Sequence, residues 1–180
     1  MTAALRADDP ALLVEARQAR AEAIPQVAVQ KLRTLLGTRD LPPEIKHAAG
    51  YELAAALLAA DELDEAESVV EPLAQAGDPA ARLLQADILT RDGRWVEALP
   101  IYQALAAVAE VGEAAQLGTV ECLQGLGRIR HAAAALEKFT AAHPANTGAR
   151  LRLASPLDRR KENPAGRGRR QKRGGAKRHR

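Results

Sequence analysis

Residues 93–105 read GRWVEALPIYQAL, and the same arrangement of small and apolar residues returns 34 positions later, at residues 127–139. The matched positions are Gly93, Trp95, Ala98, Tyr102 and Leu105 in the first copy, and Gly127, Ile129, Ala132, Leu136 and Phe139 in the second. A weaker copy lies upstream, at Asp61, Leu63, Ala66, Val70 and Leu73. A repeat of roughly this length is typical of stacked helix–turn–helix units. The sequence therefore predicts an all-α fold built from helical hairpins.

Local signals around this stretch place the two helices of one hairpin. Asp78 is a favourable N-cap, and Pro79 suits the first helical turn, where a missing N–H costs nothing. Gly93 supplies the left-handed backbone that ends a helix. Helix A, the first of the hairpin, is predicted over about Pro79–Asp92, and helix B, the second, over about Trp95–Ala109. Because neither helix can bury its apolar face alone, neighbouring hairpins are expected to stack.

The pattern divides the chain into a helical repeat domain, residues 1–154, and a basic tail, residues 155–180. Within the domain, a degenerate N-terminal helical pair precedes three repeats and a partial one. The predicted bounds are about 10–43 for the pair, 45–78, 79–112 and 113–146 for the repeats, and 147–154 for the partial repeat. The tail is rich in Arg, Gly and Pro, and we predict that it is disordered.

The composition suits closely packed helices. Hydrophobic residues make up 47% of the chain but aromatic ones only 2%, so the core must consist mainly of Ala, Leu and Val. The single cysteine, Cys122, excludes an internal disulfide and is predicted to be a small buried residue. No stretch of about 18 apolar residues occurs, and residues 1–10 lack the apolar core of a signal peptide. A cytoplasmic location is expected, with an export signal lost through a mis-assigned start as the open alternative.

The charge is segregated along the chain. Residues 155–180 contain 11 Arg and Lys against Asp158 and Glu162, a net charge of +9. The preceding 154 residues contain 15 basic and 21 acidic side chains, a net charge of −6. The overall charge of +3 is therefore the sum of an acidic repeat domain and a basic tail, and attraction to polyanions is expected only at the tail.

The sequence offers no arrangement typical of a catalytic or metal site. The four histidines are scattered, and His131 and His143 lie near opposite ends of one predicted helix. The two serines, Ser68 and Ser155, are not in a nucleophile-elbow context. Five acidic residues cluster around one predicted helix start, where negative charge is stabilised by the helix dipole. They are Asp61, Glu62, Asp64, Glu65 and Glu67. A metal site formed by the same residues is the alternative interpretation. We predict no catalytic residue, no metal and no cofactor.

The stretch quoted above resembles the tetratricopeptide repeat (TPR) family. That family favours a small residue within helix A, a glycine at the turn and, on helix B, an aromatic, an alanine and a second aromatic at fixed spacing. The matching residues here are Ala86, Gly93, Trp95, Ala98, Tyr102 and Leu105, and the resemblance covers Pro10–Ala154. In the following repeat, Ile129 and Leu136 replace the aromatics. The resemblance implies a right-handed helical solenoid whose A helices line the concave side, where partner proteins usually bind.

Carried over residue by residue, the resemblance implies a partner-binding groove on the concave helix-A face. Its residues are Tyr51, Leu58, Leu83, Asp87, Thr90, Arg91, Leu117, Glu121 and Gln124. The charged members would fix an extended peptide, while Tyr51, Leu83 and Leu117 have packing against neighbouring A helices as an alternative role. The Lys and Asn residues by which the family clamps a C-terminal carboxylate are missing from the corresponding positions. We predict a non-catalytic protein–protein interaction scaffold that binds a peptide or a partner helix on this face.

The basic tail supports a second hypothesis, a nucleic-acid-associated adaptor. It would bind phosphate groups electrostatically, without base stacking because no aromatic residue is interleaved. The residues concerned are Arg167, Arg169, Arg170, Lys172 and Arg173. The repeat pattern breaks off at Ala154, where an open apolar edge would allow self-association. For residues 155–180, a genuine tail, the product of a frameshift and an unrelated linker stay open as alternatives.

Overall fold

The computed structural model of the chain describes residues 11–149, which contain helices and no strands. The eight helices in this range are α1 (Ala11–Ala21), α2 (Pro25–Leu36), α3 (Pro43–Ala59), α4 (Leu63–Gln75), α5 (Pro79–Arg91), α6 (Trp95–Leu105), α7 (Gly112–Gly125) and α8 (Ile129–Ala142). None of them is both long and apolar enough to span a lipid bilayer. The predicted all-α repeat fold is confirmed. The basic tail, residues 155–180, and residues 150–154 of the predicted partial repeat lie outside the described residues.

The chain divides into two compact units, residues 1–132 and 133–180. In the first unit, each of the helices α1 to α6 packs against the helix that follows it. In addition, α1 contacts α3, α3 contacts α5, and α5 contacts α7. The odd-numbered helices therefore form one continuous layer, as expected of the A helices in stacked hairpins.

The described part of the second unit comprises most of α8 and the start of another helix. Leu136 and Phe139 are buried, and the Phe139 ring stacks on His143 with 4.6 Å between the ring centroids. Asn146 accepts a hydrogen bond from the backbone N–H of Ala149 at 3.0 Å. This contact caps a helical turn at residues 147–149, where the repeat pattern predicts the next helix A.

Helix ends in the first unit follow the local sequence signals. The Asp78 side chain caps α5 by accepting a hydrogen bond from the backbone N–H of Ala80 at 2.8 Å. The backbone is left-handed at Gly77, Gly93 and Gly127, with φ angles of 90°, 77° and 70°. Each of these glycines lies two residues beyond the end of α4, α5 or α7. The predicted roles of Asp78 and Gly93 are confirmed.

Replacing Gly127 with alanine is expected to lower the free energy of unfolding by about 1 kcal/mol, because L-residues are strained in left-handed backbone. A Cβ atom here would meet no atom within 4 Å, so the cost comes from the backbone alone. Asparagine tolerates this conformation better and is expected to cost less. Urea unfolding followed by circular dichroism measures both changes, and equal costs for the two variants would contradict the strain explanation.

Helix α6 is shorter than the sequence predicts. It ends at Leu105, whereas the apolar pattern extends helix B to Ala109. The chain turns here because Gln116 Nε2 of α7 donates a hydrogen bond to the carbonyl of Ala106 at 3.1 Å. Gly112 approaches so closely that a Cβ would lie 2.8 Å from the same carbonyl oxygen. Contacts with the following helix, rather than local propensity, end α6.

Small apolar side chains build two core clusters in the first unit. The first core cluster joins α1 to α5 and includes Leu13, Leu32 and Leu57, each at most 1% exposed. The second core cluster joins α5, α6 and α7 around Tyr102. Cys122 lies in the second cluster with no exposed surface, so its predicted burial is confirmed.

An acidic side chain interrupts the first core cluster. Glu52 of α3 is only 3% exposed. Its Oε1 accepts a hydrogen bond from Nε of Arg17 at 3.0 Å, and its Oε2 lies 2.9 Å from Nη2 of Arg20. Because both arginines belong to α1, this cluster ties the first odd-numbered helix to the second. The hydrophobic pattern of the sequence does not predict this buried ion-pair cluster.

Candidate partner-binding cleft

The nine residues of the predicted groove all lie on three successive odd-numbered helices. Tyr51 and Leu58 are on α3; Leu83, Asp87, Thr90 and Arg91 are on α5; Leu117, Glu121 and Gln124 are on α7. Because α3, α5 and α7 are neighbours in one layer, all nine residues belong to that layer of the first unit. We call the solvent-exposed side of this layer the odd-helix face.

A cleft of about 490 Å³ opens on the odd-helix face. The residues that line it are Leu58, Asp87, Thr90, Arg91, Trp95, Tyr102 and Glu121. Five of the nine predicted groove residues therefore meet around one cavity, although nothing yet tests whether they bind a partner. The cavity is large enough for one long side chain of a ligand, since pockets for small molecules begin at about 300 Å³.

The four other predicted groove residues do not line the cleft. Tyr51 is half-buried against the first core cluster, and Leu83 is half-buried against the second. Leu117 is half-buried and Gln124 is exposed. For Tyr51 and Leu83, these contacts favour the alternative that they pack between helices.

Sequence reasoning missed Trp95 and Tyr102 as cleft residues, because their helical spacing assigns them to the buried stripe of α6. Both rings contact glycines of the following odd-numbered helix. A Cβ on Gly118 would lie 2.4 Å from the Tyr102 ring, and one on Gly125 would lie 2.5 Å from the Trp95 ring. Glycine inside a helix is unfavourable and usually has a packing reason, so Gly118 is the signal that could have found the Tyr102 contact; Gly125 is the last residue of α7, where glycine indicates only a helix end.

A hydrogen-bond network crosses the floor of the cleft. The Tyr102 hydroxyl donates to Oδ1 of Asp87 at 2.6 Å, and the Thr90 hydroxyl donates to the Tyr102 oxygen at 3.2 Å. Thr90 Oγ1 also lies 3.6 Å from Sγ of Cys122. The network links α5, α6 and α7, and it satisfies two polar groups, those of Tyr102 and Thr90, that would be costly to bury alone.

The surroundings of the cleft disfavour the negative charge of Asp87. Asp87 keeps exposed surface in the cleft, but the protein atoms around its carboxyl group desolvate it and raise its pKa; the hydrogen bond from Tyr102 opposes this shift, and the charge of Glu121 adds to it. Since the folded pKa lies above the unfolded one, ionisation of Asp87 weakens the fold as the pH rises through both values. Burial and the charge of Asp87 raise the pKa of Tyr102 far above its usual range, so the hydroxyl stays a proton donor.

The two carboxylates of the cleft are not matched by a cation. Across residues 11–149, no ion pair joins Asp87 or Glu121 to a basic side chain. Arg91, the basic residue that lines the cleft, instead lies with its Nε 3.8 Å from Oδ1 of Asp61, and both side chains are largely exposed. The cleft therefore presents two negative groups, one of them partly desolvated.

Replacing Tyr102 with phenylalanine is expected to lower the free energy of unfolding by about 1 to 2 kcal/mol, since Asp87 and Thr90 lose a hydrogen-bond partner. The pKa of Asp87 should rise further, because the hydroxyl that opposes its shift is gone. Urea unfolding and a carbon-13 NMR titration of the carboxyl groups measure these two effects. The matched control is Tyr51→Phe, which should change stability little; an unchanged or lower Asp87 pKa in the Tyr102 variant would contradict the network.

The acidic cluster that begins α4 makes ion pairs between repeats. Arg33 of α2 lies 2.6 Å from Glu65, and Arg94, just before α6, lies 2.7 Å from Glu67. Among residues 11–149, no three His, Cys, Asp or Glu side chains are grouped closely enough to hold a metal ion. The predicted nucleic-acid residues, Arg167, Arg169, Arg170, Lys172 and Arg173, lie outside the described residues.

Solved structures share this fold over most of the chain. A MamA fragment from Desulfovibrio magneticus RS-1 is 16% identical, covers 84% of this chain and 84% of its own, and superimposes with a TM-score of 0.66. A Podosopora anserina kinesin light chain with nearly identical TPR-like repeats is 18% identical, covers 84% of this chain and 86% of its own, and gives a TM-score of 0.67. No protein-family model and no curated protein matches the sequence. At these identities the likeness establishes the fold, which is that of TPR-like repeats.

Proposed function

We propose that the chain is a non-catalytic scaffold for protein–protein interaction, which holds an extended peptide or a partner helix on the odd-helix face. The observation that supports this most directly is the cleft, to which α3, α5 and α7 all contribute side chains. TPR-like folds in general support an interaction scaffold. The cytoplasmic location expected from the sequence belongs to the same proposal.

The packing of the helices favours the odd-helix face over the opposite one. Successive odd-numbered helices contact each other directly, so their axes are close enough for one ligand to touch three repeats. Helical solenoids present such surfaces to their partners, and an extended segment can contact one side chain per repeat. The exposed residues Asp87, Glu121 and Gln124 offer polar groups along that path.

Site-specific photocrosslinking in the source cell tests the binding face. The photoreactive residue p-benzoylphenylalanine replaces Gln124 of α7, which is exposed on the odd-helix face. The matched control places it at Val96 of α6, which is 72% exposed but contributes nothing to the cleft. A discrete crosslinked protein from position 124 and not from 96, confirmed with the purified partner, is the expected result. Products from position 96 alone would overturn the proposed face.

The segregation of charge favours a second function, electrostatic binding of nucleic acid by the tail. The described residues contain 12 basic and 19 acidic side chains, a net charge of −7, so any affinity for a polyanion must reside elsewhere. Serine at the five predicted tail positions, in the full chain, should weaken binding to a single-stranded 20-nucleotide RNA at low salt, since six of the 11 basic residues of the tail remain. Each lost phosphate contact should reduce the slope of log affinity against log salt by about 0.7. An unchanged affinity and an unchanged salt slope would contradict this hypothesis.

A further inference from the structure

We infer that the cleft receives a single arginine side chain from an extended segment of the partner protein, an inference that rests on the proposed function. The cleft combines two carboxylates that form no ion pair within residues 11–149, the half-buried ring of Trp95 and an apolar wall. Arg91 also lines it, but its side chain is 60% exposed and its Nε lies 3.8 Å from Asp61, so it does not pair with either carboxylate of the cleft. A planar cation on a long aliphatic stem complements the carboxylates, the ring and the wall, and arginine is the side chain that has this form.

Charge complementarity selects a cation. Asp87 on α5 and Glu121 on α7 line the same cavity, and the charge of Glu121 adds to the rise of the Asp87 pKa. Oδ1 of Asp87 already accepts the hydrogen bond of Tyr102, which leaves Oδ2 for a ligand. A guanidinium group has five N–H donors and can bind both carboxylates at once.

The aromatic rings favour arginine over lysine. Gly125 lets the Trp95 ring lie directly against α7, and Gly118 does the same for the Tyr102 ring, so both rings are held in place by packing. Tyr102 is only 2% exposed, so the half-buried ring of Trp95 is the aromatic surface that a ligand can reach, and Trp is the strongest partner for a guanidinium in cation–π contact. Leu58 of α3 supplies an apolar wall for the aliphatic part of the side chain.

The protein contains one tryptophan, Trp95, so its fluorescence reports directly on the cleft. The probe is a capped seven-residue peptide of glycine, serine and alanine with arginine at the centre, titrated into the full chain. Otherwise identical peptides have lysine, citrulline or glutamate at the centre. We expect a saturable change in emission with arginine, weaker binding with lysine, and binding about tenfold weaker with the neutral isostere citrulline. Equal binding of the citrulline or glutamate peptide would overturn the inference.

Two isosteric variants test whether the carboxylates of Asp87 and Glu121 bind the arginine side chain. Asp87→Asn keeps an oxygen that can accept the Tyr102 hydrogen bond, and Glu121→Gln keeps the length of the side chain. Each should weaken binding of the arginine peptide about tenfold. The matched control, Glu110→Gln, removes an equal charge from an exposed residue between α6 and α7 and should leave the affinity within about twofold. Equal losses in all three variants would show a general charge effect and overturn the site.

The outcomes separate this inference from the proposed function. If no peptide changes the Trp95 emission while the photocrosslinker at position 124 still captures a partner, the arginine site is wrong and the scaffold function stands. If position 124 captures no protein and the arginine peptide fails as well, both fail. A captured partner whose crosslinked segment contains an arginine that is needed for binding would support both.

Discussion

Replacing Glu52 with alanine is expected to lower the free energy of unfolding by about 3 to 5 kcal/mol, because the substitution breaks a buried ion-pair cluster. The Glu52 side chain is 4% exposed and that of Arg17 is 15% exposed, so neither charge is well hydrated. Without the carboxylate, Nε of the poorly exposed Arg17 loses its hydrogen bond to Oε1 of Glu52, whereas Arg20, whose side chain is 38% exposed, can still reach water. The same cluster joins α1 to α3, so the N-terminal hairpin should be the first part to lose its packing. Urea unfolding, followed by circular dichroism, measures the loss.

An exposed ion pair of α1, the helix that contains Arg17 and Arg20, provides the control. Glu15 of α1 lies 2.6 Å from Nζ of Lys31, a shorter contact than either one made by Glu52. Its side chain is 50% exposed, so Glu15→Ala is expected to cost at most about 1 kcal/mol. The comparison separates burial from distance as the source of the effect. If the two substitutions cost the same, the argument from burial is wrong.

Features of the fold that depend on adjacent residues were predictable from the sequence. The cap at Asp78 and the left-handed glycine at Gly93 act within a few positions, and the structure confirms both. The 34-residue spacing likewise requires only that each hairpin meet an equivalent neighbour, which is why the all-α repeat fold followed from it. Five of the cleft residues are among those that the resemblance to TPR proteins implies for the helix-A face.

Features that depend on contacts between distant residues were not predictable in the same way. The burial of Glu52 depends on Arg17, 35 positions earlier in the chain. The end of α6 at Leu105 depends on a hydrogen bond from Gln116, and the local pattern would continue the helix. The rings of Trp95 and Tyr102 lie between repeats, and each contributes both to the second core cluster and to the cleft. The helical spacing of apolar residues predicts the contribution to the core but does not indicate the contribution to the cleft.

Replacing Gly118 with alanine is expected to destabilise the protein by about 1 to 3 kcal/mol, although alanine normally favours a helix by about 0.5 to 1 kcal/mol over glycine. The new Cβ would lie 2.4 Å from one carbon of the Tyr102 ring and 2.5 Å from the next. The ring is buried and its hydroxyl is bound to Asp87, so it cannot shift away from α7 without breaking that hydrogen bond. Urea unfolding gives the change, and the Trp95 emission should shift as α6 and α7 move apart.

Gly50 of α3 is the matched control, since it is also a buried glycine inside an odd-numbered helix. A Cβ there would lie 3.5 Å from Cδ1 of Leu73, which is ordinary contact, so Gly50→Ala should stabilise the protein by about 0.5 to 1 kcal/mol. The same chemical change should thus have opposite signs at the two positions. In a Tyr102→Ala background the obstacle at Gly118 is absent, and Gly118→Ala should no longer destabilise. A stabilising effect of Gly118→Ala in the native background would mean that Tyr102 does not pack against α7, and the floor of the cleft would then be wrongly described.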